Sequence, residues 1–283
     1  MANTIDVDLL IDTLSGEKAI AFLANRLAPL GAFSTDFSND IVPATKSLQI
    51  VKVTAGSKTL QNPTDFNVGD STTSNIAVTV DAYSQPFHIT SKELNQKMRL
   101  ENLAQANLQA LAVTLSKVWT ALILTTTFKN TAVTVAQASF AAANAKTLLG
   151  SVMKCSEKHL VLDGVAFAQL APSDKNAFDL GQKGAYGFNG IHCQTEWTGA
   201  ESKVYGFAAG PEALAMYANI PLIDPGVAAK LDGQKVVTIP GIELPVQINT
   251  WVDVATRARW ASYDIMFGAA VAEATALTVV KSA

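Results

Sequence analysis

From Ser91 to Phe128 the chain runs without a single glycine or proline. Leu94 and Met98 are four apart, and Ala104, Leu108, Leu111, Leu115, Val118 and Leu122 follow at steps of four and three. That spacing lays one apolar stripe along a helix, with Lys92, Lys97, Arg99, Glu101 and Lys117 mostly off it. Thr90 and Glu93 have the spacing of a capping box, which marks the start. The β-branched run Thr125-Thr126-Thr127 suits an end better than a middle. At ~1.5 Å per residue such a helix spans roughly 50 Å. That is far longer than the mean globular helix, so the segment reads as a strut. A long core helix in some other α+β domain would give the same pattern.

The 283 residues are enough for one large or two ordinary domains. Only 16% are charged, against a usual share of about 25%. So little charge implies that much of the surface is covered, for instance by further copies of the chain. A plain Ala- and Thr-rich composition is the alternative reading. The net charge of −3 argues against a dedicated nucleic-acid binder but permits a container wall. Cys155 and Cys193 make no disulfide framework. Asp6, Asp8 and Asp12 interrupt the N-terminus, unlike a secretory signal. No run approaching ~18 apolar residues is expected, so no membrane partner either.

Residues 8–30 have helical apolar spacing, with Leu9, Leu10, Leu14, Ile20, Leu23 and Leu27, and are expected to break at Pro29 and Gly31. The segment 1–46 carries a surplus of acidic residues and reads as an arm laid over a neighbouring subunit. Residues 47–90 read as a long hairpin. Leu48 to Val53 gives one strand, Ile76 to Ala82 alternates as another, and Phe87 to Thr90 leads into the strut. The polar stretch between the strands is long for a turn inside a compact domain, which suggests a projecting arm. Beyond the strut, a strand and turn at 131–140 precede a helix over 140–153 that Ser139 could cap. A strand follows over 159–162, then a helix over 165–170. A glycine-punctuated loop over 173–189 leads to strands over 191–196 and 203–208. Pro211 sits at the start of a helix expected over 212–218. Strands over 236–239, 244–250 and 258–267 close the chain.

Motifs that carry chemistry are scarce. The loop GQKGAYGFNG lacks the Lys-Ser/Thr and the following helix of a phosphate cradle. His88, His159, His192 and the two cysteines lack zinc spacing. No G-x-S-x-G elbow occurs. Arg257, Arg259 and Trp260 form the one tight basic–aromatic cluster, which core packing explains better than single-strand binding.

The order of parts resembles the major capsid protein of tailed bacteriophages, whose fold encapsulins share. FHITSKEL leading into the long helix is similar to that family, as are HLVLDGVAFAQL, GIHCQTEW, KVYGFAAGPEALAMYA and the closing YDIMFGAAVAEATALTVVKS. The resemblance implies an α+β fold. Its parts would be an N-terminal arm (1–46), an extended β-hairpin loop (47–83) and a peripheral domain (84–135) holding a spine helix (91–128). An axial domain (136–250) and C-terminal strands returning to the peripheral domain (251–283) would complete it. It implies a virion protein, assembled in the host cytoplasm as pentamers and hexamers into an icosahedral head. Its partners would be copies of itself, with portal, scaffold or decoration proteins as further partners and weak contact with packaged double-stranded DNA. No catalytic residue, cofactor or metal is expected. Contacts between subunits are expected at Lys58, Gln61, Asn62, Phe66 and Asp70 in the hairpin tip, Lys183, Tyr186 and Phe188 in the axial loop, and Phe33 and Phe37 in the arm. Lys58 would be the natural lysine for an inter-subunit crosslink, which the sequence does not assign. An encapsulin-like compartment is the alternative. An α+β hydrolase using Asp163, His192 or serines of the glycine-rich loop comes third.

Overall fold

The computed structural model describes residues 7–36, 47–54, 71–90, 94, 96–125, 128–170, 185–194, 203–253 and 258–282. Two helices, α1 (Val7–Leu14) and α2 (Glu17–Phe33), lead into a short strand, β1 (Ser34–Asp36). Leu10 and Leu14 on α1, with Leu23, Leu27 and Leu30 on α2, are all buried in the main core. Each such side chain stabilises by about 1.5–3 kcal/mol when buried. The Tyr263 hydroxyl donates to the Leu14 carbonyl at 3.0 Å, and Lys235 reaches Asp12 at 2.7 Å. β1 pairs in parallel with residues 214–216. The expected arm over a neighbour is therefore corrected for residues 7–36, which fold onto their own chain. The expected break at Pro29 is corrected too, because α2 continues through it to Phe33. Burial of Leu27, Pro29 and Leu30 offsets the ~3 kcal/mol cost of an interior proline. A Cβ on Gly31 would come within 2.8 Å of Ile242 Cγ2, so glycine lets the helix end lie this close.

The hairpin strands are β2 (Ser47–Thr54) and β3 (Thr72–Thr79), paired antiparallel from Ser47↔Thr79 to Thr54↔Thr72. β4 (Asp81–Ile89) then joins a six-stranded sheet. Pro86 within β4 has no N–H to give, which suits a strand paired on one side. The long helix is α3, Lys97–Thr125, 29 residues, or ~43 Å at ~1.5 Å per residue. Its buried stripe runs Leu100, Ala104, Leu108, Leu111, Leu115, Trp119 and Ile123. Trp119 and Ile123 replace the expected Val118 and Leu122, and Met98 is 75% exposed. A 3.6-residue period drifts against steps alternating four and three, so the outer positions of the stripe shift by one. Glu93 of the expected capping box lies outside the described residues. By length and hydropathy α3 could cross a membrane, contrary to the expectation of no such run. Here it packs against α2, β4 and the chain's longest strand.

After α3 come β5 (Val133–Thr134), a 3-10 turn at Gln137–Ser139, α4 (Ala142–Ser151), β6 (His159–Leu162) and α5 (Gly164–Leu170). Ser139 does not cap α4; Ala141 holds that position with no side-chain bond. β7 (Gly190–Cys193), β8 (Val204–Ala209), β9 (Leu214–Asn219), α6 (Pro225–Ala228), β10 (Gly233–Ile239), β11 (Leu244–Asp253), β12 (Ala258–Val271) and β13 (Leu277–Lys281) follow. The helix expected over 212–218 is thus a strand. Its Ala, Leu and Met content favours helix, but β9 is held between β1 and β12 with nearly every residue buried. Tertiary pairing overrides propensity there.

The six-stranded sheet orders β1-β9-β12-β11-β10, with β4 also on β12. The five-stranded sheet orders β5-β13-β8-β6-β7. β9, β10 and β11 fall inside the expected 136–250 region yet belong to the six-stranded sheet. β13 falls inside the expected 251–283 region yet belongs to the five-stranded sheet. α3 underlies both: Leu108 and Leu111 share the main core, and Trp119 meets Phe207 of β8 edge-on at 6.1 Å.

Candidate assembly surfaces

The β2–β3 hairpin is anchored at one end and exposed at the other. Ile50, Val78 and Val80 pack with Ala215 and Tyr217 of β9 in a separate small core. Met266 and Ala270 of β12 complete it. The hairpin root crosses β12 so closely that a Cβ on Gly268 would sit 2.3 Å from the Thr79 carbonyl oxygen. Further out, Lys52, paired with Ser74, adds a brace, donating to the Glu273 carboxylate just after β12 and to the Ala272 carbonyl. The hydrogen bonds from Lys52 and from the Thr275 hydroxyl hold Glu273 down to about 2. Away from the root, Thr72, Thr73, Ser74 and Asn75 are all exposed. Lys58, Gln61, Asn62, Phe66 and Asp70 lie outside the described residues, as does Phe37. Phe33 is the last residue of α2.

The glycine-rich loop is partly pinned. Lys183 lies outside the described residues, but 186–190 are tied to α4 and to Lys158. Tyr186 has φ 56° and Gly187 φ 87°. A Cβ on Gly187 would meet Leu149 of α4 at 2.7 Å. The Asn189 amide donates to the Lys158 carbonyl at 2.7 Å, and the Asn189 side chain accepts from the Lys158 amide at 2.9 Å. Tyr186 is half-buried against the core and Phe188 is 1% exposed within it. Phe188 is therefore corrected: its ring faces inward and leaves nothing to offer a neighbouring subunit.

The residues considered for catalysis are occupied structurally. Asp163 caps α5, accepting from the Ala166 amide at 2.9 Å and from Gln137 Nε2. His192 Nε2 faces His159 Nδ1 at 3.3 Å, and His159 Nε2 faces Glu157 at 3.3 Å. Burial, then the neighbouring His159, lowers His192 to about 4. Cys155 is buried and Cys193 exposed, both as free thiols. Among the described residues no three His, Cys, Asp or Glu side chains could hold a metal ion. Trp260 stacks on Trp251 at 6.4 Å, and Arg259 bonds Asp232 at 3.2 Å, while Arg257 lies outside the described residues. The root of the hairpin carried no local signal in the sequence. Gly268 lies just past the strand expected over 258–267, and only the extension of β12 to Val271 sets it against the hairpin.

No family model matches the sequence, and no curated protein matches it. Solved structures do. A chain from the capsid structure of the Cyanophage P-SCSP1u superposes with a TM-score of 0.54 at 13% identity, covering 88% of this chain and 86% of that one. One from the capsid of a native GTA particle gives 0.57 at 10% identity, covering 92% and 90%. The virus-like particle from Pyrococcus furiosus gives 0.52 at 10% identity, covering 94% and 99%. The chain has the fold of a phage capsid protein. At these identities the capsid fold is what is shared.

Proposed function

We propose that this chain is the major capsid protein of a tailed double-stranded DNA bacteriophage, a structural protein with no catalytic role. Copies of it would tile an icosahedral head as pentamers and hexamers. The observation that carries this reading is that chains taken from capsid shells cover 88% to 92% of its length. The rooted hairpin supports it: an element anchored at one end and exposed at the other suits overlap with a neighbour. In this reading residues 47–83 form the extended loop and α3 the spine. The six-stranded sheet serves the peripheral domain and the five-stranded sheet the axial one. Many modest contacts then add up by multivalency in a closed tiling. A wall with net charge −3 would meet packaged DNA weakly and without sequence preference.

Negative-stain microscopy of the expressed protein, with and without a scaffold partner, should show shells, tubes or capsomers. A monomer stable to concentration under all conditions overturns the proposal. The match to the Pyrococcus furiosus virus-like particle supports a second reading, a compartment that loads protein cargo. Nuclease-protected DNA in purified particles favours the head; a co-purifying enzyme favours the compartment.

A further inference from the structure

His159 of β6 and His192 of β7 meet across two neighbouring strands, with His159 Nδ1 facing His192 Nε2 at 3.3 Å. The ring centres are 5.5 Å apart, so the two nitrogens point head to head between the rings. Gly190, the register partner of His159, makes room for them. A Cβ there would come 2.9 Å from His192 Nε2 and 3.0 Å from His159 Nδ1. A carboxylate only accepts, so His159 Nε2 carries the hydrogen that faces Glu157. In the neutral ring Nδ1 is then the acceptor, and His192 Nε2–H donates to it.

This line of hydrogen bonds has room for one extra proton. One imidazolium still donates to one imidazole, with the Glu157 carboxylate at the end of the line. A second proton sets two N–H groups and two positive charges against each other. The surroundings do little to relieve that. α5 and β8 carry no charged side chain. Lys158 acts on Cys155 and Glu212, and Glu212 accepts from the Ser156 hydroxyl. Asp163 acts on Cys193 at the far end of β7.

The pair sits where the sheet is most easily opened. β7 is the end strand of the order β5-β13-β8-β6-β7, so among the described strands β6 alone holds it. The turn before it hangs on the same contact, through the two bonds between Asn189 and Lys158. Short segments at an edge are drawn from the low end of local stability.

We propose that the His159–His192 pair is an acid-operated latch, which holds β7 and its preceding turn on β6 and releases them once both rings are protonated. Residues 186–193 then come away while β6, β8 and β13 stay paired. The latch belongs to the single chain and does not depend on the shell reading.

The test is hydrogen exchange of the full-length chain, read by mass spectrometry at one protein concentration between pH 7.5 and 4.5. Protection is corrected for the intrinsic pH dependence of exchange. His192 is held near 4 when closed, against an ordinary 6.5, so opening should be favoured by up to about 300-fold on acidification. By pH 4.5 the protection of residues 189–193 should have fallen at least ~20-fold, with β12 unchanged. His192→Gln keeps an N–H to donate and takes no proton, so its protection over 189–193 should not respond to pH. His159→Gln removes the like charge and should lessen the response, which keeps the question open to measurement if the first variant does not fold. Constant protection in the unaltered protein overturns the latch. So does a full response in either variant, or a loss of protection shared equally by β12.

Discussion

Gly268 and His192 show how single residues bear on this fold. A methyl group at Gly268 would meet the Thr79 carbonyl oxygen at 2.3 Å, and backbone gives way less easily than a flexible side chain. Gly268→Ala should cost about 1–3 kcal/mol of stability, read by denaturant unfolding, and should loosen the hairpin root. Unaltered unfolding would mean that β12 can shift without penalty. His192 sits near 4 in the folded chain, below its ordinary 6.5. Below pH 6.5 the unfolded chain therefore binds the extra proton and the folded chain does not. Stability contributed by the neutral ring is complete above pH 6.5 and falls away as pH drops towards 4. The loss is at most about 3 kcal/mol. His192→Gln should flatten the stability profile across that window. The Glu273 carboxylate, held near 2, acts lower on the scale. Its contribution persists above its ordinary 4.5 and disappears as pH falls through 2. Lys52→Met should reduce that acid-range slope, the Thr275 hydrogen bonds remaining, and leave the His192 window in place. The pair is partly exposed, so salt should weaken the effect.

Among the elements, α3 was the most legible, because its apolar spacing is local and repeated. Ala104, Leu108, Leu111 and Leu115 recur on one face as expected, and only the ends of the stripe drifted, to Leu100 on one side and to Trp119 and Ile123 on the other. Leu111→Pro should abolish folding, since an interior proline costs ~3 kcal/mol or more and bends the rod. Recovery of folded protein by circular dichroism would show that both sheets can do without it. Strands 159–162 and 258–267 were legible for similar reasons, as short apolar or alternating runs between turns, although the second runs on to Val271. β9 was not, because LAMYAN favours helix until β1 and β12 flank it. The continuation of α2 through Pro29 was hidden for a parallel reason, since the compensating burial comes from distant residues. Phe188 looked available in a glycine-rich loop, yet the turn at Tyr186 and Gly187 is pinned on Leu149 and directs the ring inward.

For the whole molecule, the hairpin is the element whose packing most suggests a role beyond the single chain. Its root is fixed by Ile50, Val78 and Val80 on β9 and β12. Replacing residues 55–70 with a two-residue turn should therefore leave the fold intact, with an unchanged melt, while particle yield drops at least ~10-fold. Particles in normal yield would show that the tip does not tie subunits together. The core is continuous from α1 to β13, so truncating α1 should destabilise the chain itself. An arm resting on a neighbour would be dispensable for folding, and the melt of a chain lacking residues 1–15 separates the two.

The sequence by itself determined the long rod, the hairpin with its polar connection, most strands and the absence of a recognisable catalytic motif. These follow from local periodicity and turn chemistry, which a chain carries wherever it folds. Only the tertiary structure decided that the N-terminal helices lie on their own body, that β9 is a strand, and that β13 joins the five-stranded sheet. Each of those depends on which distant surface an apolar face meets, and nothing in a linear spacing records the partner.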